Sequence, residues 1–343
     1  QSSEFYSWYD FRHFPDDYRC WWGFKDLPEV NEQNPKWQDD IVTGDKSIVK
    51  HWLRHGAAGW RLDVADELPD AILALIRNAA KSVKPDAPII GEVWEDAVTK
   101  ESYGSRRNYA LGYSLDSVMN YPLRSAVLSF MHGWSDAYGL RDFLISQQMN
   151  YPKPLYYSLM NLLGSHDVDR LRTALAADRN LRELSREDQL RYEFSDEALS
   201  RALRQERLCA AIQFAIPGVP SIYDGDEQGM CGVCDPFNRL PFKEGEQELH
   251  DWYAQLANMR NSADALSTGH VRFMAVTQDV LLILRWISDG RDAFGDAAEN
   301  GAYLAVINRG AAEVHYRADC SAAGCGTIEG TAEPVSAKII RIT

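Results

Sequence analysis

The 343-residue sequence contains no apolar run long enough to cross a bilayer, and it has no internal repeat or low-complexity tract. Membrane-spanning, solenoid and disordered classes are therefore set aside. Positive charge is in short supply: 36 Lys and Arg face 50 Asp and Glu, for a formal net charge of -14. That balance argues against nucleic acid and anionic membranes as partners, and fits a neutral small-molecule ligand. Cysteine is sparse, with Cys20, Cys209, Cys231, Cys234, Cys320 and Cys325 forming no dense framework. A reduced, cytoplasmic setting is expected on that basis, with secretion as the alternative. Cys231-Gly-Val-Cys234 is a lone C-x-x-C without a second pair, which argues against zinc or redox chemistry.

What the sequence does have is aromatic residues, many of them near the start in "FYSWYDFRHF" and "YRCWWGF". Such faces suit sugar rings and ordinary cores alike. The chain opens "QSSEFYSWYD" with no initiator Met, and it reads as processed or truncated.

Strand-like and helical patterns alternate. "AAGWRLDVA" precedes "LPDAILALIRNAAKSVKP", in which Leu68, Ile72, Leu75, Ile76, Ala79 and Val83 share one helical face, and "APIIGEVW" follows. Pro69 marks the start of that helix and Pro85 its end. The rhythm continues through "DSVMNYPL", "YYSLMNLLGSHD", "EALSRALRQERLCAAIQFA" and "GVPSIYDGDEQG", as in βα units around a parallel sheet. The charged stretch from Asp178 to Glu206 reads as a solvated helical excursion. After Ser267 the texture changes to short strands, "HVRFMAV", "VLLILRWI", "AYLAVIN", "EVHYRA" and "AKIIRIT", which predict an antiparallel β domain.

Within this frame "GWRLDVADE" carries a contradiction. It reads as a buried strand, yet Arg61 and Asp63 interrupt it, and strand alternation points both side chains to the same face. A guanidinium beside a carboxylate keeps the carboxylate charged. Two further strand-like runs end in acids: Glu92 in "PIIGEVW", and Asp167 after His166 in "NLLGSHDVDR". Singly, each acid has an ordinary structural explanation as a turn cap, an ion pair or a loop hydrogen bond. Jointly, at strand ends of an α/β barrel, they mark the catalytic mouth. Clustered carboxyls repel, so one can stay ionised while another keeps its proton, the division of labour that retaining glycoside hydrolysis needs.

On these motifs the sequence resembles the α-amylase family, glycoside hydrolase family 13. "GWRLDVADE", "GEVW" and "LLGSHD" resemble its second, third and fourth conserved regions, and "LPEVNEQNP" its short region in domain B. "VADE" is close to the "VANE" of the neopullulanase, cyclomaltodextrinase and maltogenic amylase branch, with Asp66 in place of Asn. "PGVPSIYDGDEQGM" and "DPFNRLPF" look like that branch's eighth strand and the loop after it.

The resemblance implies a retaining hydrolase of α-1,4 and also α-1,6 glucosidic bonds in maltooligosaccharides, cyclodextrins, pullulan or starch. An α-glucan transglycosylase and a non-catalytic carbohydrate-binding fragment are the alternatives. Asp63 would be the nucleophile, Glu92 the general acid/base, and Asp167 a partner for the sugar hydroxyls. Arg61 would hold Asp63 ionised and His166 would donate to the same sugar. Trp94 and Glu67 would face the leaving-group side, and Asp235 and Arg239 the next glucose on the other side. No cofactor is expected to be required. The run "DGDEQG" lacks the spacing of an EF-hand loop, so calcium stays unassigned. His51 and His55, four apart, belong to the helix before the nucleophile strand and lack a third ligand for zinc.

The family's first conserved region, Asp-x-x-x-Asn-His, is absent, and no Asn-His pair occurs in the sequence. The expected fold is thus a partial (β/α)8 TIM barrel of strands four to eight, plus a C-terminal antiparallel β-sandwich. Residues 1–33 would end domain B, 34–267 would form the barrel portion, and 268–343 the β domain. Expected partners are α-glucan oligosaccharides, together with the remainder of the same enzyme or a second copy against the open sheet edges.

Overall fold

The computed structural model describes residues 2–343, which separate into two compact units. Among these residues the first comprises 2–93 and 97–118, and the second 94–96 and 119–343.

In the first unit, a short antiparallel hairpin of Phe11–His13 and Asp17–Tyr18 precedes helix α1 (Ile48–Arg54). Strand β1 (Trp60–Leu62), helix α2 (Asp70–Val83), strand β2 (Ile89–Gly91) and strand β3 (Ser117–Val118) follow. The three strands are parallel in the order β1-β2-β3, with Trp60 opposite Ile89 and Leu62 opposite Gly91. Helix α2 starts directly after Pro69 and stops before Pro85, as the sequence predicts. It buries Ile72, Ile76 and Ala79 of the predicted face, together with Leu73 and Ala80 one position round. Gly91 closes β2 because nothing larger fits there: a Cβ would lie 2.5 Å from Leu115 Cδ1 and 3.2 Å from Ala65 Cβ.

In the second unit, helices α3 (Tyr121–His132) and α4 (Ala137–Asn150) lead to strand β4 (Met160–Leu162). Helices α5 (Leu171–Ala176) and α6 (Asp196–Ala215) then lead to β5 (Val219–Ser221), which pairs parallel with β4. After α7 (Gln247–Asn261) come β6 (His270–Ala275), β7 (Val280–Ile287), β8 (Gly301–Asn308), β9 (Val314–Asp319), β10 (Thr327–Ala332) and β11 (Ser336–Arg341). Four of these form an antiparallel sheet in the order β6-β7-β8-β11, and β9-β10 form a hairpin.

The run "VLLIL" shows why this sheet reads as apolar throughout. Leu281 and Ile283 pack with helical residues such as Leu144 and Leu208, whereas Val280, Leu282 and Leu284 pack with Tyr316 and Ala318 of the hairpin. Both faces are covered, so alternation disappears. Strand β10, "TIEGTA", escaped the sequence reading because Gly330 interrupts it; a Cβ there would lie 2.5 Å from the Tyr316 hydroxyl.

The reading of Asp178 to Glu206 as solvated fails at its end. Glu206 is fully buried, one helical turn from buried Ala202 and Ala210, and its Oε2 accepts a 2.6 Å hydrogen bond from Arg172 Nε. The side-chain period of the helix carries it inward with its apolar neighbours. Burial pushes the Glu206 carboxyl up to about 7, against the lowering influence of Arg172, and burial likewise pushes Asp226 well up.

A raised folded-state carboxyl value gives stability that is full below the ordinary carboxyl range and is lost as pH rises toward the folded value. The expected result is a lower melting temperature at about pH 8 than at about pH 5, with a smaller difference in Glu206→Gln. An unchanged difference in that variant would show that Glu206 does not carry the dependence.

Candidate active site

In the first unit, the register of β1 against β2 brings two acids side by side. Asp63 directly follows Leu62 and Glu92 directly follows Gly91, while Glu92 N–H donates to Leu62 O at 3.0 Å. Arg61 spans the pair: Nη1 contacts Asp63 Oδ1, and Nη2 lies 3.1 Å from Glu92 Oε2. The two carboxylates differ in environment. The Glu92 side chain is 8% exposed and that of Asp63 is 77% exposed. Val64, a β-branched residue held at φ +44°, turns its N–H onto Glu92 Oε2 at 2.7 Å. Valine is rarely found in that region, so the turn after β1 is a strained one.

The rest of "VADE" is also engaged. Asp66, the departure from "VANE", accepts from Tyr109 Oη at 2.7 Å and pairs with Lys100 Nζ at 3.1 Å. Glu67 accepts from Tyr103 Oη and from Trp22 Nε1 (3.4 Å), and lines a cavity of about 820 Å³ with Trp21, Tyr103 and Arg107. The bond to Glu67 pushes the Tyr103 phenol up to about 12.

In the second unit, the predicted residues form a chain. His166 Nε2 lies 3.1 Å from Asp167 Oδ2, Arg239 Nη2 lies 3.6 Å from Asp167 Oδ1, and Arg239 Nε lies 3.0 Å from Asp235 Oδ1. Asp167 stands five residues beyond Leu162, the end of β4, so it is carried by a loop and not by the strand end itself. That loop is fastened from below. Ser165 Oγ accepts from Asp167 N–H at 3.1 Å and is itself 3.1 Å from Tyr121 Oη. Trp94 stacks on the Tyr121 ring at 3.9 Å and 6°.

Two residues that sequence reasoning passed over hold the Asp167 loop together. Tyr121 does so through the contacts just described. Asn238, fully buried, donates from Nδ2 to the carbonyls of Ser165 (3.3 Å), His166 (2.8 Å) and Val168 (2.7 Å). The signal for Asn238 was present in "DPFNR", where Asp235 and Arg239 drew attention to themselves by charge. Among the described residues, no group of three or more His, Cys, Asp or Glu side chains is placed to hold a metal ion, and no helix is long and apolar enough to cross a membrane.

Residues 3–272 match the family profile described as alpha amylase, catalytic domain. The chain belongs to the alpha-amylase family. It is 35% identical over 340 residues to an amylopullulanase of Thermoanaerobacter thermohydrosulfuricus, covering 91% of this chain and 22% of that protein. It is 30% identical over 321 residues to a cyclomaltodextrinase of Geobacillus thermopakistaniensis, covering 90% of this chain and 47% of that protein. The cyclic α-maltosyl-(1→6)-maltose hydrolase of Arthrobacter globiformis, solved with that sugar, matches in fold with a TM-score of 0.76 at 24% identity, over 99% of this chain and 69% of that one. Relatives named cyclomaltodextrinase, neopullulanase 2 and maltogenic alpha-amylase are also matched, as the resemblance implies. The chain spans half or less of the length of these sequence relatives.

Removal of the Asn238 amide leaves three loop carbonyls without their shared donor, at a cost of about 1–3 kcal/mol. Asn238→Ala is therefore expected to lower the melting temperature and to raise KM more than it lowers kcat. A melting temperature and KM equal to those of the parent would refute the role assigned to this side chain.

Proposed function

We propose that this chain hydrolyses α-1,4 and α-1,6 glucosidic bonds in maltooligosaccharides, cyclodextrins, pullulan or starch, with retention of configuration. One observation carries the reading: a single guanidinium, Arg61, contacts both the exposed Asp63 carboxylate and the buried Glu92 carboxylate. Sharing one fork keeps the acids close, which favours the short separation of retaining pairs, about 5–5.5 Å, over the wider inverting one.

Asp63 attacks the anomeric carbon as Glu92 gives its proton to the departing glycosidic oxygen. A water then attacks the same carbon, Glu92 takes the water's proton, and the Asp63 ester bond breaks. Glu92 Oε2 accepts from Val64 N–H and faces Arg61. Asp167 and His166 bind the sugar hydroxyls, Trp94 and Glu67 serve the leaving-group side, and Asp235 and Arg239 the opposite side. The relatives named for cyclomaltodextrin and cyclic maltosyl-maltose support the substrate class.

The same reading takes β1 to β5 as strands four to eight of a (β/α)8 barrel, with residues 1–33 as part of domain B and 268–343 as a β-sandwich domain. Among the described residues β1 pairs only with β2, and β5 only with β4. A further segment of the enzyme or a second copy would cover those edges. Light scattering is expected to show association beyond a monomer, with hydrolysis following the associated species; a strictly monomeric, fully active chain would overturn this part.

Asp63→Asn is expected to lose at least ~10³-fold in turnover of maltoheptaose while still binding sugar. Turnover within tenfold of the parent would refute the assignment.

A further inference from the structure

Trp134 has no part in this chemistry, yet the structure spends several contacts on presenting it. The indole is 77% exposed, although large aromatic side chains gain the most from burial. The turn that carries it is fastened on both sides. Gly133, at φ +77°, ends α3 and returns its N–H to Phe130 O at 3.1 Å, and Ser135 N–H donates to Ser129 O at 3.1 Å. Arg309 Nη1 donates to Ser135 O at 2.7 Å, and Asp136 caps α4 by accepting from Gly139 N–H at 2.8 Å. One indole face is backed by the His132 ring, 4.5 Å away and tilted by 20°. His132 is itself fixed by a 3.0 Å bond from Nε2 to Ala174 O, and burial holds it below its usual range, so the support is a neutral ring.

A cavity of about 470 Å³ adjoins this platform, within the roughly 300–1,000 Å³ of small-ligand sites. Its charged lining is balanced, with Arg124 and Arg179 against Asp169 and Asp178, and Thr173 and Asn180 add neutral donors and acceptors. Balanced charge selects neither anions nor cations. A rigid aromatic plate beside mixed donors and acceptors suits a neutral polyhydroxylated ring. Trp134 follows the end of α3 opposite to Tyr121, while the cavity's lining also includes Arg124 and Asp169, two residues beyond Asp167. Tyr121, bonded to Ser165, begins α3 and His132 ends it, eleven residues or about 16 Å along the axis.

We propose that Trp134 and the adjoining cavity form a second, non-catalytic site that binds an α-glucan chain. The identity of the glucan rests on the proposed function, whereas the existence of a sugar site rests on this geometry alone. Native electrophoresis through gels containing glycogen tests it. Trp134→Ala is expected to weaken retardation at least fivefold while hydrolysing maltotriose within twofold of the parent. Asp178→Ala, a change at an exposed position, is expected to weaken retardation about twofold or more, and it serves as the readout if the Trp134 variant melts early. Retardation of both variants equal to that of the parent would overturn the proposal. Asp63→Asn should be retarded like the parent. Retardation that depends on Trp134 in a chain that hydrolyses nothing would leave this site standing and remove the proposed activity.

Discussion

The contact on which the acidic pair of the first unit depends is the Arg61 guanidinium between Asp63 and Glu92. Its Asp63 limb adds little to stability, because Asp63 is 77% exposed and solvent screens such a pair. Its effect is positional. Two in-register parallel strands leave the residues after Leu62 and Gly91 side by side, and the shared guanidinium holds both carboxyl groups to one point. The surrounding backbone is shaped to that end. Gly91 is small because Leu115 and Ala65 leave no room for a side chain, and Val64 adopts a left-handed turn so that its amide reaches Glu92.

The Asp167 loop of the second unit is built on a different principle. Asp167 sits on a loop, where neither strand register nor helix period fixes a side chain, and its position comes from hydrogen bonds to the loop backbone. Asn238 gathers the carbonyls of Ser165, His166 and Val168, and Ser165 links the Asp167 amide to Tyr121. Such a loop is only as precise as the buried amide that holds it, which is why an uncharged residue matters as much here as the charged ones around it.

Much of this was legible in the chain. The Arg61 and Asp63 alternation, the helix bounded by Pro69 and Pro85, and the strands after Ser267 all follow from short-range rules of period and capping. What escaped depends on partners distant in sequence. Glu206 looked solvated because its neighbours on the N-terminal side are charged, and only the packing of α6 shows that its face turns inward. Tyr121 and Asn238 carry no charge pattern and acquire meaning only through the loop they fasten. The left-handed turn at Val64 runs against the preference of a β-branched residue, so local propensity could not have indicated it.

The central claim is that Asp63 becomes covalently bonded to sugar while Glu92 moves the proton. Trapping with a 2-fluoro-maltosyl fluoride, followed by peptide mass spectrometry, tests it most directly. The account predicts one added glycosyl group on the peptide containing Asp63, and none when Asp63 is replaced by Asn. A label on Glu92 or Asp167, or hydrolysis with inversion and no label, would contradict it.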